Sequence, residues 1–235
     1  MSGKNPNASY DVLVLLAKDK HALVRASVAS NANCPLEILS VLAKDKNNIV
    51  KEKVAENKNT TSEILEMMKS KSKVGSLLHA CIAKNPNVSQ KILDELADEN
   101  DFYVISNIIE NPSTPSKTLS KILDNILDNY YDDEDSGLLS FCSDYICENP
   151  NASTELLERM CFIEDISTTA KNTLASCKKI TPKMAAKLSV DENDIVRENL
   201  ASNKNISFEI LNRLTKDQNE NVRSKAKANL LQRAN

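Results

Sequence analysis

A phrase of about fifteen residues recurs along the whole chain, and this repetition constrains the possible fold more than any other feature. The first two copies are NPNASYDVLVLLAKD and NANCPLEILSVLAKD. The phrase begins at eight positions, namely Asn5, Asn31, Asn57, Asn85, Asn111, Asn149, Cys177 and Asn203. The intervals are 26, 26, 28, 26, 38, 28 and 26 residues, so the repeats account for all 235 residues apart from four leading ones. Such a period is typical of stacked structural repeats.

Each repeat has the pattern of two short helices. Its fifth residue suits a helix N-cap or a turn, and the eight residues in that place are Ser9, Pro35, Thr61, Ser89, Pro115, Ser153, Thr181 and Ser207. Apolar residues follow at i, i+1 and i+4, as in Ile38, Leu39 and Leu42, and they form one face of a helix. An acidic turn and a second helical stretch come next. We expect the Asn that opens the following repeat to end that stretch in the left-handed conformation.

A helix pair this small cannot bury its apolar face alone, so neighbouring pairs must stack. The sequence therefore predicts an all-α fold, a right-handed superhelical solenoid of about eight two-helix repeats of 26–28 residues. We expect residues 1–235 to form a single elongated domain with a continuous core.

The shared phrase, N-P-N-x-[ST]-P-x-x-x-L-x-x-L-A-x-D-x-x-x-x-V-R-x-x-V-A, resembles the leucine-rich repeat variant family, and more distantly HEAT and armadillo repeats. The match is most specific in the first, second, fourth and eighth repeats, and Cys177-Lys178-Lys179 replaces the opening Asn-Pro-Asn of the seventh. The resemblance implies an α-helix paired with a shorter, often 3₁₀, helix, and no general activity. One family member carries a cysteine-ligated iron–sulfur segment before its repeats. No Cys precedes the first repeat here, so we expect no cofactor.

Composition and motifs give little support to catalysis. There are three Gly and no phosphate-binding Gly motif, no Trp, and two histidines in different repeats. Six cysteines have irregular spacing without C-x-x-C, which favours buried thiols over metal ligands. We therefore predict no catalytic residues and no metal site. The absence of a signal sequence or an apolar span of bilayer length favours a cytoplasmic location without membrane contact.

A basic residue follows the second-helix Val in most repeats, and stacking would align these side chains into a ladder. The ladder residues are Arg25, Lys51, His79, Lys171, Arg197 and Arg223; Ile105 and Ser143 interrupt it. One interpretation is an electropositive stripe that binds an acidic peptide or a nucleic-acid backbone. The other, which the recurring acids favour, is a set of ion pairs between adjacent repeats.

The fifth repeat is 38 residues long because of an acidic insertion at residues 126–137. Insertions in repeat proteins map to loops on one face, often the binding face. The residues that we single out are Asp128, Tyr130, Tyr131, Asp132, Asp133, Glu134 and Asp135. They lack the spacing of a Ca²⁺-binding loop, and the alternative is a solvated loop between two helix ends.

Together these features predict a non-enzymatic helical-repeat scaffold that binds a protein or peptide partner. The alternative is a nucleic-acid-binding module that uses the basic ladder. The formal net charge of −3 gives no overall attraction to nucleic acid, which makes the alternative the weaker expectation.

Overall fold

A computed structural model describes residues 5–74, 76–99, 101–129 and 136–234, with the side chains of residues 129, 136 and 137 left out. These ranges contain sixteen helices and no strand, which confirms the predicted all-α fold of two-helix repeats. Within the same ranges, no helix combines the length and the apolar character needed to cross a membrane.

The chain divides into two compact units, Met1–Thr118 and Leu119–Asn235, and the boundary falls inside the ninth helix. The prediction of a single domain stays a prediction. The helices up to this boundary are α1 (Tyr10–Leu16), α2 (Ala22–Ala29), α3 (Leu36–Leu42), α4 (Asn48–Ala55), α5 (Ser62–Ser70), α6 (Leu77–Lys84), α7 (Gln90–Leu96), α8 (Phe102–Glu110) and α9 (Ser116–Asn129). The second unit continues with α10 (Ser136–Glu148), α11 (Thr154–Cys161), α12 (Thr168–Ser176), α13 (Pro182–Leu188), α14 (Asp194–Ser202), α15 (Phe208–Leu214) and α16 (Glu220–Ala234).

Odd-numbered helices are the first helices of the repeats, and even-numbered helices are the second. In the first unit the second helices pack side by side, α2 on α4, α4 on α6 and α6 on α8. In the second unit α10 packs on α12, α12 on α14 and α14 on α16. First helices pack on the second helices of their own repeats, for example α3 on α4 and α11 on α12. This arrangement presents one column of second helices in each unit.

The first helices begin where the sequence predicts. Seven of the predicted residues are N-caps in extended backbone conformation, namely Ser9, Pro35, Thr61, Ser89, Ser153, Thr181 and Ser207. Four of these side chains accept a hydrogen bond from the backbone N–H three residues later, which satisfies an otherwise unpaired donor of the first turn. Pro182 occupies the first turn of α13, where its missing N–H costs nothing.

The apolar positions of the pattern form the core. Ile38, Leu39 and Leu42 of α3 are all buried, as are Ile210, Leu211 and Leu214 of α15. Second helices contribute Val and Ala, such as Val54 and Ala55 at the end of α4. Bonds between the repeats are then made by side chains, which reach backbone carbonyls of the neighbouring repeat.

The ends of the second helices correct one expectation. Asn85, Asn111 and Asn203 are C-caps with φ of −69°, −72° and −74° and ψ of 131°, 121° and 123°, which is extended backbone. The left-handed conformation predicted for these residues was therefore wrong. Their role lies in the side chain.

Candidate functional site

Within each unit, buried asparagines form a ladder of hydrogen bonds to backbone carbonyls of the repeats before them. The Nδ2 group of Asn85 donates to the carbonyl of Ala55 at the end of α4 (2.5 Å) and to that of Asn57, which opens the preceding repeat (2.9 Å). Its Oδ1 accepts the backbone N–H of Asn87 at 2.8 Å. The equivalent pair of hydrogen bonds, from Nδ2 to two backbone carbonyls, is made by Asn57, Asn111, Asn203 and Asn229. One amide thus closes a helix end, orders the next turn and fixes the neighbouring repeat.

A second, more exposed row of contacts runs parallel to the ladder. Asn59 and Asn87 each donate from Nδ2 to two carbonyls of the preceding repeat. In the seventh repeat, the ammonium of Lys179 reaches the equivalent carbonyls of Pro150 (3.2 Å) and Ala152 (2.6 Å). Lys179 therefore replaces the second Asn of the motif in function as well as in place.

Cys177 occupies the ladder position of the seventh repeat but performs only half of the asparagine's role. Its Sγ accepts the backbone N–H of Lys179 at 3.2 Å, as Oδ1 does elsewhere. A thiol has one weak donor, whereas an amide donates two bonds. The ladder is therefore weaker at this position.

The predicted basic ladder lies on the second helices, and two of its arginines, Arg25 and Arg197, bind acids of the following repeat. Nε and Nη2 of Arg25 donate to the two carboxylate oxygens of Asp45 at 2.6 and 2.9 Å. Arg197 holds Asp217 in the same way, at 2.8 and 3.0 Å. These hydrogen bonds lower the pKa of Asp45 and of Asp217 below the ordinary value of 3.8. Such paired donors favour the interpretation as an inter-repeat ion-pair ladder.

The same spacing of twenty residues links two further pairs. Lys171 Nζ lies 3.5 Å from Asp191 Oδ2, and His79 Nδ1 lies 2.8 Å from Glu99 Oε1. Lys51 differs because the residue twenty places on is Lys71, and no carboxylate of the described residues lies within 4.0 Å of its ammonium. Arg223 donates from Nη1 to the carbonyls of Asp217 and Gln218, both at 2.8 Å. The acid twenty residues further on is thus the partner of Arg25, His79, Lys171 and Arg197. Arg223 instead contacts carbonyls of the turn before its own helix, and Lys51 contacts no carboxylate of the described residues.

Sequence reasoning missed the cluster of Ser72, His79 and Glu99. The Ser72 hydroxyl contacts His79 Nε2, while His79 Nδ1 bonds the Glu99 carboxylate, an order of contacts that also occurs in serine hydrolases. Here the hydroxyl also donates to the Lys69 carbonyl at 2.8 Å, and His79 is 2% exposed. Since His79 and Glu99 have the spacing of Arg25 and Asp45, the cluster is one rung of the ion-pair ladder. The sequence signal was the joint replacement of Arg by His and of Asp by Glu.

The acidic insertion lies mostly outside the described residues, and this applies to Tyr130, Tyr131, Asp132, Asp133, Glu134 and Asp135. Asp128 is described and lies exposed near the end of α9. The interpretation of this insertion as a binding loop stays a prediction.

A row of exposed apolar side chains, absent from the sequence predictions, marks the first turn of each second helix in the first unit. This apolar row consists of Leu23, Ile49, Leu77 and Tyr103, with exposed fractions of 70%, 45%, 61% and 68%. Leu23, Ile49 and Leu77 each precede a ladder residue by two positions, and Tyr103 has the same place before Ile105. The four side chains therefore occupy one place in four successive repeats. Aligned exposed apolar groups of this kind are typical of binding surfaces.

The thiols do not form a metal site in the described part of the chain, where no group of three or more His, Cys, Asp or Glu side chains could hold an ion. Cys34, Cys81, Cys142, Cys147 and Cys161 are buried. Burial raises the pKa of Cys34 to about 11 and that of Cys81 to about 12, which keeps these thiols protonated and unreactive at neutral pH.

Comparisons with known proteins add little to this description. No protein-family model matches the chain, so the resemblance to the leucine-rich repeat variant family is not supported, and no curated protein matches it. Two solved structures are similar to this chain. A crystal structure of an engineered protein is 15% identical over 93% of this chain and 95% of that one, with a TM-score of 0.21. A designed armadillo repeat protein is 16% identical over 97% of this chain and 95% of that one, with a TM-score of 0.20. Both scores are low, so the fold of this chain follows from its own helices and hydrogen bonds.

Proposed function

We propose that this chain is a non-enzymatic helical-repeat scaffold that binds a protein or peptide partner through the second helices of the first unit. The observation that carries the proposal is the apolar row, since four large side chains at one repeat position are 45–70% exposed. Partner binding would remove this apolar surface from water, which is the usual driving force of association.

The polar parts of the same column of helices support a rigid binding surface. In the first unit, the buried amides of Asn57, Asn85 and Asn111 bond to carbonyls at the ends of α2, α4 and α6. A rigid surface loses little conformational entropy on binding, which favours affinity. The cytoplasmic location remains part of the proposal.

The nucleic-acid alternative is less well supported. Phosphate binding requires cationic groups that are accessible, but the guanidinium groups of Arg25 and Arg197 are already bound to carboxylates, with side chains 10% and 6% exposed. Binding of DNA to the full chain at low salt that is lost on raising the salt concentration would support the alternative.

The test is capture of partners from nuclease-treated native lysate by the full chain and by three variants. Leu23→Ser, Ile49→Ser and Leu77→Ser together remove most of the apolar row. Leu15→Ser, Val41→Ser and Val190→Ser together form the matched control, since these side chains are 72%, 66% and 67% exposed on other surfaces. The third variant deletes residues 126–137.

We expect the row variant to lose the proteins that the parent chain and the control variant retain. Retention by the row variant with loss by the deletion variant would move the binding surface to the acidic insertion. Equal capture by all variants, or no capture by the parent chain, would overturn the proposal.

A further inference from the structure

Six exposed lysines lie in the turns that precede the second helices of the first three repeats. This basic edge consists of Lys18, Lys20, Lys44, Lys46, Lys71 and Lys73. In the described residues, no carboxylate lies within 4.0 Å of any of these ammonium groups. The basic edge is therefore distinct from the ion pairs of Arg25, Lys171 and Arg197, whose charged groups already contact carboxylates.

The charge of the first unit changes sharply along its repeats. Residues 1–84 contain 13 Lys and Arg against 8 Asp and Glu, whereas residues 85–118 contain 2 against 6. In the fourth repeat, the turn before α8 has Asp98 and Asn100 in the places that Lys18 and Lys20 occupy in the first. The positive surface is consequently confined to the first three repeats.

The basic edge adjoins the apolar row. Lys20 precedes Leu23 by three residues and Lys46 precedes Ile49 by three, so each pair is separated by at most about 11 Å of chain. In the third repeat, Lys73 precedes Leu77 by four residues. Each of the first three repeats therefore has an exposed lysine three or four residues before an exposed apolar side chain at the start of a second helix.

We propose that this combined surface binds an extended acidic segment of another protein, with apolar side chains at every third residue. The inference rests on the proposed function and names the partner's chemistry. Carboxylates of the segment would face the basic edge, and its apolar side chains would cover Leu23, Ile49 and Leu77. Charge complementarity of this kind sets partner choice and association rate.

The spacing of three residues follows from helix packing. Packed helices lie about 8–10 Å apart, which is the separation expected between successive members of the apolar row. A polyproline II segment rises about 3.1 Å per residue with three residues per turn, so every third side chain lies on one face about 9 Å from the last. A β-strand repeats its face every two residues, after about 6.6 Å, and does not match.

The apolar row also distinguishes a peptide from a nucleic acid as the occupant. A phosphate backbone would use the lysines and gain nothing from Leu23, Ile49 and Leu77, because aliphatic side chains offer no stacking surface to bases. The juxtaposition of the two features therefore favours a segment that carries both acids and apolar groups.

The experiment measures fluorescence anisotropy of labelled twelve-residue peptides with the full chain at low salt. The acidic probe has four Leu-Pro-Glu triplets, and its matched probes have Leu-Pro-Gln and Leu-Pro-Lys triplets; a DNA duplex of twelve base pairs is the fourth probe. The test variants are the row variant above and a charge variant with Lys20→Glu, Lys46→Glu and Lys73→Glu. The control charge variant carries Lys204→Glu, Lys216→Glu and Lys227→Glu, which are exposed lysines of the second unit.

We expect the acidic probe to bind at least tenfold more tightly than the Gln probe, and the Lys probe to bind weakest. The row and charge variants should each lose at least tenfold in affinity for the acidic probe, while the control variant stays within threefold. Circular dichroism confirms that each variant is folded.

Three outcomes would overturn the inference, and they separate it from the proposed function. Equal binding of all three peptides with dependence on the row would refute the acidic preference and leave the scaffold function standing. Binding of DNA that needs the lysines but not the row would replace the peptide by a nucleic acid. No saturable binding of any peptide up to about 1 mM would refute the inference, whereas the proposed function would still stand or fall with the capture of partners from lysate.

Discussion

Replacing Asn85 by Ala tests whether the asparagine ladder holds adjacent repeats together. The change removes two donations from Nδ2, to the carbonyls of Ala55 and Asn57, and the bond from the Asn87 N–H to Oδ1. The carbonyl of Asn57 keeps the N–H of Thr60 at 3.0 Å. The carbonyl of Ala55 lies at the end of α4, where no later turn of that helix supplies a donor.

The expected cost follows from the number and burial of the groups left unpaired. A stranded buried carbonyl costs about 1–3 kcal/mol, and each of the other two lost bonds costs about 0.5–1.5 kcal/mol. Asn85 is 2% exposed, so water cannot readily replace its amide. The free energy of unfolding should therefore fall by about 4 kcal/mol, within a range of about 2–6 kcal/mol.

Urea unfolding followed by circular dichroism measures this change, with Asn48→Ala as the control. Asn48 is exposed in the first turn of α4, and its replacement should alter stability by no more than about 0.5 kcal/mol. Asn85→Gly is the decisive variant. If position 85 required only a left-handed backbone conformation, glycine would preserve the free energy of unfolding. Because the side chain is the essential part, glycine should lower that free energy at least as much as alanine does.

A loss for Asn85→Ala within about 1 kcal/mol of the Asn48→Ala control would refute the ladder as a source of stability. A harmless Asn85→Gly together with a harmful Asn85→Ala would refute the assignment of the effect to the side chain.

Three further predictions concern the ladders. Cys177→Asn should raise the free energy of unfolding by about 1–2 kcal/mol, measured in urea, because an amide there can donate to the preceding repeat; an unchanged midpoint would contradict this. Asp217→Asn should lower the melting temperature above pH 4, where the Asp217 carboxylate is charged and bound to Arg197. The difference in melting temperature from the parent chain should shrink below pH 3.8, because the lowered pKa of Asp217 means that the ion pair is lost only in more acidic solution. A difference that grows on acidification would contradict this linkage. Ser72 should not react with a fluorophosphonate in mass spectrometry of the intact chain, and a labelled Ser72 would instead indicate an activated nucleophile.

The sequence predicted the helix pairs because their signals are local. N-cap side chains and apolar residues at i, i+1 and i+4 act within one or two turns, so Ser89 and the apolar residues of α7 could be interpreted from neighbouring positions alone. The structure confirms these predictions. The basic ladder was also visible, since its residues recur at one position of the phrase.

The role of the asparagines could not be derived from local signals, since their bonds join residues 26–30 places apart. One clue was present. Glycine is the preferred residue of a left-handed helix end, yet this chain has only three glycines and places none at the opening of a repeat. Gly would suit a position where only the backbone conformation matters. It does not suit a position whose side chain must donate two hydrogen bonds and accept one. The apolar row was missed because exposure depends on how the second helices pack.

The replacement of the ladder asparagine by Cys177 has a consequence for how the second unit unfolds. Repeat arrays gain stability from each interface between neighbours, so cooperativity is only as strong as the weakest coupling. With one amide replaced by a thiol, the boundary between the sixth and seventh repeats is where opening should begin. Amide hydrogen exchange would then be faster from Lys179 onward, because the repeats that start at Cys177 and Asn203 would open before the repeats that precede them.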